Sequence, residues 1–247
     1  MDELPKNDGL DIVGFGKIAN AIPKEVYERS AATLLTTFEK LTAPITETTS
    51  GLGRYLRQKF DNMVEVEKAI AIFTVEKALC RAKVKAERAG GLLHAPAHSK
   101  SFVKAIEEAS KETEPLLHEM WSNLLASQLA GEPCHPHFVE ILPHFSPAEA
   151  KLLVSLLPKS DVGEHGGGYL QYDPDSFTHW VRKTDDELNP WCLSCKLLLE
   201  FRFADLLALK SNDRPKVAIL YRTRSGEDFL AAVSLPPRGQ SSVPCAT

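Results

Sequence analysis

The sequence predicts a mainly α protein, in which an N-terminal helical body is followed by a winged-helix-like α+β module with a short two-stranded hairpin. Apolar residues recur at three- and four-residue steps through most of residues 24–132, which is the spacing of one helix face. Ser146, Pro147 and Glu149 then form a capping box that starts a further helix. Two strand-like segments follow, joined by the turn-forming sequence SNDRP.

The helical body is expected to occupy residues 24–132, after a flexible N-terminus at residues 1–23. Its helices are predicted over Pro23–Leu41, Gly53–Ala89, Phe102–Ser110 and Glu114–Ala130. Gly90 and Gly131 stand where the second and fourth of these helices end, because glycine readily takes the left-handed conformation of a helix C-terminus. The apolar stripes of these helices are expected to form the core of the body.

The second domain is expected at residues 133–234, followed by a disordered tail at residues 235–247. Its elements are predicted as helices over Pro136–Leu142, from Ser146 onward, over Pro190–Phe201 and over Gly226–Val233, with strands in YLQYD, Leu206–Lys210 and Val217–Arg222. The tail, LPPRGQSSVPCAT, has too few apolar residues to pack against a core. The order helix, helix, strand, turn, strand after Ser146 is that of a winged-helix module.

Composition limits the classes of function. A net charge of −4 argues against a protein whose main task is to coat nucleic acid. No run of about 18 uncharged apolar residues occurs, and the acidic start MDELPKND lacks the features of a signal peptide. We therefore expect a cytoplasmic protein with reduced thiols and no transmembrane segment, while contact with a membrane surface stays open.

Catalytic and cofactor motifs are missing from the sequence. It contains no nucleophile elbow, no P-loop and no paired-carboxylate constellation. The segment GFGKIAN has two glycines but lacks the third glycine of a dinucleotide-binding turn. The sequence therefore favours a protein that is not an enzyme, with no catalytic residues and no cofactor.

The cysteine and histidine residues offer one candidate metal site. Cys192 and Cys195 have the spacing of a zinc or redox pair, and Cys134, His135 and His137 are the natural further ligands. The pair falls on a predicted apolar helix, however, where cysteines three residues apart share a face and behave as small apolar side chains. Packing is therefore the favoured interpretation, and no bound metal is expected.

Two groups of basic residues are candidates for contact with a partner or with phosphate. The first forms a stripe on the second predicted helix, and the other lies around the hairpin. They are Lys77, Arg81, Lys85 and Arg88 in the stripe, and Arg214, Lys216, Arg222 and Arg224 around the hairpin. Because Glu76 and Glu87 dilute the stripe, a solvated helix face is its favoured interpretation, and binding to nucleic acid or anionic lipid is the alternative.

Three linked motifs resemble a known family. They are Asn123-Leu-Leu-Ala-Ser127, His135-Pro-His-Phe-Val-Glu-Ile141 and Ser146-Pro-Ala-Glu-Ala-Lys151. Their type and spacing are similar to those of the bacterial abortive-infection family called Abi-alpha. The matching positions are interpreted as structural, and they are Asn123, Ser127, His135, Pro136, Phe138, Glu140, Ser146, Pro147 and Glu149. Weaker similarity extends over about residues 24–233 and includes Tyr221, Thr223, Gly226, Phe229 and Ala231.

The resemblance implies a role in defence against bacteriophage. It carries over no catalytic residues, so the predicted protein acts by binding a partner or by sensing infection. The expected partner is another protein or a second copy of this chain, and nucleic acid is less favoured. The alternative function is that of a winged-helix regulator that binds nucleic acid through the hairpin and the basic stripe.

Overall fold

The computed structural model describes residues 36–40, 42–43, 50–161, 170–173, 178–181, 193–208 and 218–234. The segments 1–23 and 235–247, predicted as flexible and disordered, lie outside these residues. The chain divides into two compact units, one formed by Met1–Pro143 with Ala232–Thr247 and the other by His144–Ala231. The first unit thus runs further than the predicted boundary after residue 132, and it includes the motif that begins at His135.

The described part of the first unit is helical. Its helices are α1 (Ser50–Asp61), α2 (Glu65–Arg88), α3 (Ser99–Ala109), α4 (Pro115–Leu129) and the short α5 (His137–Ile141), with residues 36–40 and 42–43 also helical. The helical region predicted from Gly53 to Ala89, with a kink near Asp61, is two separate helices, because Val64 has an extended backbone (φ −74°, ψ 162°). The Glu67 carboxylate accepts a hydrogen bond from the Val64 N–H and so caps the start of α2.

The two longest described helices, α2 and α4, supply about half of the buried apolar residues of the first unit. Ala69, Ile70, Ala71 and Ile72 are buried in succession, so the first half of α2 is covered on more than one face. In α4, 12 of the 15 residues are buried, and Trp121 is 1% exposed. Polar residues are among the buried ones on α4, and each of these needs a hydrogen-bonding partner inside the protein.

The second unit combines helices with a small antiparallel sheet. Its elements are α6 (Pro147–Ser155), β1 (Leu170–Asp173), β2 (Thr178–Val181), α7 (Leu193–Glu200), β3 (Ala204–Ala208), β4 (Ala218–Arg222) and α8 (Arg224–Val233), although the last two residues of α8 are grouped with the first unit. The strand order is β2-β1-β4-β3. The mainly α class is confirmed, and β3 and β4 form the predicted hairpin.

The sheet is larger than the predicted two-stranded hairpin. The segment YLQYD supplies β1, which pairs with β4 in the register Leu170↔Leu220, and β2 pairs with the other edge of β1. Strand β4 thereby has a neighbour on each side, so its backbone N–H and C=O groups bond in both directions. The winged-helix arrangement of this unit is not confirmed, because β1 and β2 stand between α6 and α7 in the chain.

A capping box sets the start of α6 in the second unit. The capping box at the start of α6 is present, since the Ala148 N–H donates to Ser146 Oγ (3.1 Å) and the Ser146 N–H donates to Glu149 Oε2 (2.7 Å). Glu149 is buried and also accepts from the Ser194 hydroxyl on α7 (2.5 Å). Burial raises the pKa of Glu149, but the hydrogen bonds that its carboxylate accepts, first of all from the Ser146 hydroxyl, outweigh burial and hold the pKa below its usual value.

Gly226 permits a close backbone approach in the second unit. A Cβ atom at this position would lie 2.3 Å from the carbonyl oxygen of Phe203 and 2.9 Å from Cγ of Arg222. The Phe203 carbonyl is fixed, because it accepts a hydrogen bond from the Thr223 N–H (3.0 Å). The ring of Phe203 also stacks on that of Phe229 with centroids 4.6 Å apart. Only glycine therefore fits between α8 and the end of α7.

We expect Gly226→Ala to lower the free energy of unfolding by about 2–3 kcal/mol, because the new methyl group forces a fixed backbone to move. Gly51→Ala is the matched control, since a Cβ atom there would meet nothing within 4 Å and alanine favours the helix. Urea denaturation of the two variants and the unaltered chain measures both effects. Equal stability of the two variants would contradict the steric argument.

Candidate functional site

The basic stripe of α2 faces α4. Lys77 and Arg81 both form ion pairs with Glu119. Arg81 Nη1 donates to Asn123 Oδ1 (2.9 Å), and Lys85 Nζ donates to Ser127 Oγ (2.7 Å). We call this set of six residues the polar seam.

The polar seam shows that α2 and α4 are parallel and in register. Lys77 contacts the residue 42 positions later, and so do Arg81 and Lys85. A constant separation means that the partners advance together, one turn at a time, along both helices. The contacts therefore repeat along about two turns and fix the rotation of each helix relative to the other.

Two residues of the polar seam also hold the end of the last helix. Asn123 Nδ2 donates to the carbonyl oxygen of Val233 (2.9 Å), and Ser127 Oγ donates to that of Ala232 (2.7 Å). Carbonyl groups in the last turn of a helix have no partner within the helix. Asn123 and Ser127, the polar ends of the first sequence motif, thus satisfy the C-terminal turn of α8.

The interpretation of the basic stripe as a solvated face is wrong for most of its length. The side chain of Lys85 is only 2% exposed, and its ammonium group also pairs with Glu132 at 2.7 Å. Arg81 is 13% exposed and Lys77 is 25% exposed. Arg88 alone of the four is an exposed residue. The prediction gave too much weight to the neighbouring Glu76 and Glu87. The groups that accept hydrogen bonds from the stripe are instead Glu119, Asn123 and Ser127 on α4.

A buried histidine stands beside the polar seam. His118 Nε2 lies 2.7 Å from Thr74 Oγ1, whose single proton is engaged by the carbonyl oxygen of Ile70, also at 2.7 Å. His118 must then be the donor, so we assign its Nε2–H tautomer. Burial, assisted by the positive charge of Lys77, lowers the pKa of His118 to about 4, and the ring is neutral at physiological pH.

The candidate zinc ligands do not form a metal site in the described part of the chain. No group of three or more metal-binding side chains meets there, and Cys192 lies outside it. Cys195 is fully buried, and burial raises the pKa of the Cys134 thiol to about 11. His135 Nδ1 accepts a hydrogen bond from the backbone N–H of His137 (3.2 Å). Cys80 is disulfide-bonded, so the expectation of reduced thiols is wrong at this position.

The two described basic residues of the hairpin region already have partners. Arg222 Nη1 donates to the carbonyl oxygen of Leu153 (3.3 Å) near the end of α6. Arg224 is 84% exposed and pairs with Asp228 at 3.1 Å, one turn further along α8. Arg214 and Lys216 lie outside the described residues. Arg222 therefore contacts the end of α6, whereas the pairing of Arg224 is at the surface and contributes little to stability.

A charged groove lies on the surface of the first unit. Its volume is about 690 Å³, with α3 as its floor and α1 and the start of α5 as its walls. The lining residues are Tyr55 and Lys59 from α1, Lys100, Ser101, Lys104, Glu107 and Glu108 from α3, and Pro136, His137 and Glu140 from the α5 segment. The opposite face of α3 carries Phe102, Val103 and Ile106, all buried, so the charged face is turned outward.

Ion pairs cross the charged groove on both sides of α3. Lys59 on α1 pairs with Glu107 at 2.9 Å, and Lys104 on α3 pairs with Glu140 on α5. The hydrogen bond from Lys59 holds the pKa of Glu107 below its usual value. These pairs are partly exposed to solvent, so each contributes little to stability and can be exchanged for a partner's charges.

The second sequence motif forms one wall of the charged groove. Its apolar residues Phe138, Val139 and Ile141 are buried, whereas His137 and Glu140 are exposed and line the groove. Tyr55, Ser101 and the lysines of α1 and α3 were not predicted as site residues. Tyr55 and Lys59 are four residues apart and so share a helix face, as do Lys100 and Lys104. No local sequence signal, however, indicates that these two faces lie side by side in the fold.

These features define a mainly α protein with a polar seam in its core, a charged groove on its surface and a small antiparallel sheet. The family model described as abortive infection alpha matches residues 67–178, from the first turn of α2 to the start of β2. Over this region the chain is similar to the abortive infection alpha family, which supports the resemblance that its motifs predict. No curated protein and no solved structure matches the chain. Among the described residues, none of the helices has the length and apolar character needed to cross a membrane.

The buried cation of the polar seam gives a stability prediction. Lys85→Met keeps the apolar stem but removes the ammonium group, leaving Ser127 and Glu132 without their donor. We expect a loss of about 2 kcal/mol, less than for a fully buried pair, because Glu132 is 37% exposed. Lys83→Met, at an exposed position on the same helix, should change stability little. Chemical denaturation compares the two, and equal effects would show that the Lys85 charge is dispensable.

The buried histidine gives a pH prediction. The folded-state pKa of His118 is about 4 and its ordinary value is 6.5, so the unfolded chain takes up this proton first as the pH falls. The stability from neutral His118 is therefore complete above pH 6.5 and is lost progressively towards pH 4, by about 3 kcal/mol. Unfolding measured across this range should show the loss in the unaltered chain and in the exposed control His98→Gln. A His118→Gln variant with the same slope would contradict the assignment.

Proposed function

We propose that the protein takes part in defence against bacteriophage by binding a partner in the charged groove, without a catalytic step of its own. The match to the abortive infection alpha family model supports the defence role. The observation that carries the binding site is the division of the His135–Ile141 motif into a buried apolar side and an exposed polar side on the groove wall.

The exposed polar side of the motif is available for binding because the buried apolar side is enough to anchor the segment. Phe138, Val139 and Ile141 are between 0% and 7% exposed and hold α5 against the core. Among the described residues, the one aromatic partner of the His137 ring is His135, which it approaches edge-on with centroids 6.3 Å apart. Polar side chains placed beside a concave surface on a rigid helical frame are typical of a binding site.

The charges of the groove favour a polar or charged partner. Its lining contains three lysines and three glutamates, and the ion pairs among them lie at the surface. A partner with complementary charges can replace these pairs without leaving any group buried and unpaired. The basic stripe is a weaker candidate for the contact, because Lys77, Arg81 and Lys85 are already engaged by α4.

A phage plating assay tests the proposal. Cells that express the unaltered gene should produce fewer phage, with infected cells ceasing growth before progeny are released. The double variant Tyr55→Ala with His137→Ala removes two exposed side chains from opposite walls of the groove, and we expect protection to fall about tenfold or more. Gln58→Ala, on an exposed position of α1 outside the groove, is the matched control and should protect fully.

Circular dichroism and thermal unfolding of the same variants separate loss of binding from loss of folding. The substituted side chains are exposed, so the double variant should unfold within a few degrees of the unaltered chain. A stable double variant that restricts phage as well as the control does would refute the groove as the functional site. If the unaltered gene gives no protection against a broad phage panel in its native host, the defence role itself fails.

A further inference from the structure

At the end of the charged groove, the first turn of α3 has N–H groups without a hydrogen-bond acceptor among the described residues. The N–H groups of Ser99, Lys100 and Ser101 are in the first turn of α3 and have no acceptor within the helix. His98 at the N-cap provides no side-chain hydrogen bond, and the first turn contains no acidic residue. This end of the groove therefore lies at the uncapped, positive end of the α3 dipole.

A buried hydroxyl group at the same place lacks a partner. Ser101 lines the groove, and its Oγ atom is buried without any hydrogen bond among the described residues. A buried hydroxyl in this state costs free energy, unless a ligand or a water molecule bonds to it. Unlike the helix terminus, this observation concerns a side chain that lines the groove, and a ligand in the groove can supply its partner.

The groove also has a lysine without an ion pair among the described residues at this end, namely Lys100. Lys59 pairs with Glu107, and Lys104 pairs with Glu140. Lys100 is exposed and forms no ion pair within the part of the chain that the structure describes. The donors at the start of α3 thus include one ammonium group that is available for an anion.

We propose that this end of the charged groove binds the phosphate group of a small phosphate ester, and this inference rests on the groove being the binding site proposed above. Lys100 Nζ and Ser101 Oγ donate to the phosphate oxygens, which suits a group with several strong acceptors at a helix N-terminus. The organic part of the ligand lies along the groove towards Tyr55, whose side chain is 41% exposed. A volume of about 690 Å³ is that of a small-molecule site and exceeds the needs of an inorganic ion.

Calorimetric titration of the full chain tests the proposal with three probes, namely adenosine monophosphate, inorganic phosphate and vesicles that contain phosphatidic acid. We expect saturable binding of adenosine monophosphate, weaker binding of inorganic phosphate, and no added affinity for vesicles. Ser101→Ala and Lys100→Gln should each weaken nucleotide binding by about tenfold. Lys83→Gln, which removes an exposed lysine from α2, is the matched control and should leave binding unchanged. Glu140→Gln should strengthen binding, because it frees Lys104.

Three outcomes would overturn the inference. The first is that neither soluble probe binds saturably, as expected if water alone satisfies Ser101. The second is that Ser101→Ala and Lys100→Gln leave the binding unchanged. The third is that the protein binds only to the vesicles. The plating assay separates this inference from the proposed function. If the groove variant loses protection but the nucleotide does not bind, the phosphate inference fails while the function stands. If the nucleotide binds but the groove variant still protects, the proposed function fails instead.

Discussion

The structure of the first unit depends on the in-register contact between the cations of α2 and the polar side chains of α4. Helix α4 runs through the core, yet it carries His118, Asn123 and Ser127 among its buried residues. Each would cost about 1–3 kcal/mol without a hydrogen-bonding partner. Helix α2 supplies these partners turn by turn, and Asn123 and Ser127 extend the network to the last turn of α8. The polar seam thus specifies which faces of the helices meet. Apolar contacts alone are less specific, because they are less directional than hydrogen bonds.

The charged groove is a consequence of the same packing. The buried face of α3, with Phe102 and Ile106, can meet the core in one orientation only, and this turns Lys100 and Lys104 towards solvent. Helix α1 and the α5 segment then rise on either side of α3. A binding surface built in this way on three helices has fixed geometry, so a ligand would lose little free energy to ordering the protein.

The features that the sequence could predict are those with local causes. The capping box at Ser146 and Glu149 lies within four residues, and the positive φ of Gly131 (71°) follows from its place after α4. The apolar run around Ile70 likewise predicts a helix buried on more than one face. In each case the residues that decide the structure are neighbours in the chain.

The remaining features arise from residues far apart in the chain. The spacing of Lys77, Arg81 and Lys85 shows that they share a face, but no local signal tells that Glu119 and Asn123 lie opposite, so the face was expected to be solvated. The charged groove joins Tyr55, Ser101 and His137, which only the packing of three helices brings together. The sheet was underestimated for a related reason, since β1 has four residues and depends on pairing with β4, about fifty positions later.

The constant separation of the polar seam partners has a consequence for changes in chain length. Helical residues advance by about 100° each, so one residue inserted in α2 between Lys77 and Lys85 would turn the later cations away from α4. An insertion in the segments that join α3 to its neighbours changes no angle within either helix, and a surface loop absorbs it at small entropic cost. The lengths of α2 and α4 are therefore fixed together, whereas the loops between them can vary.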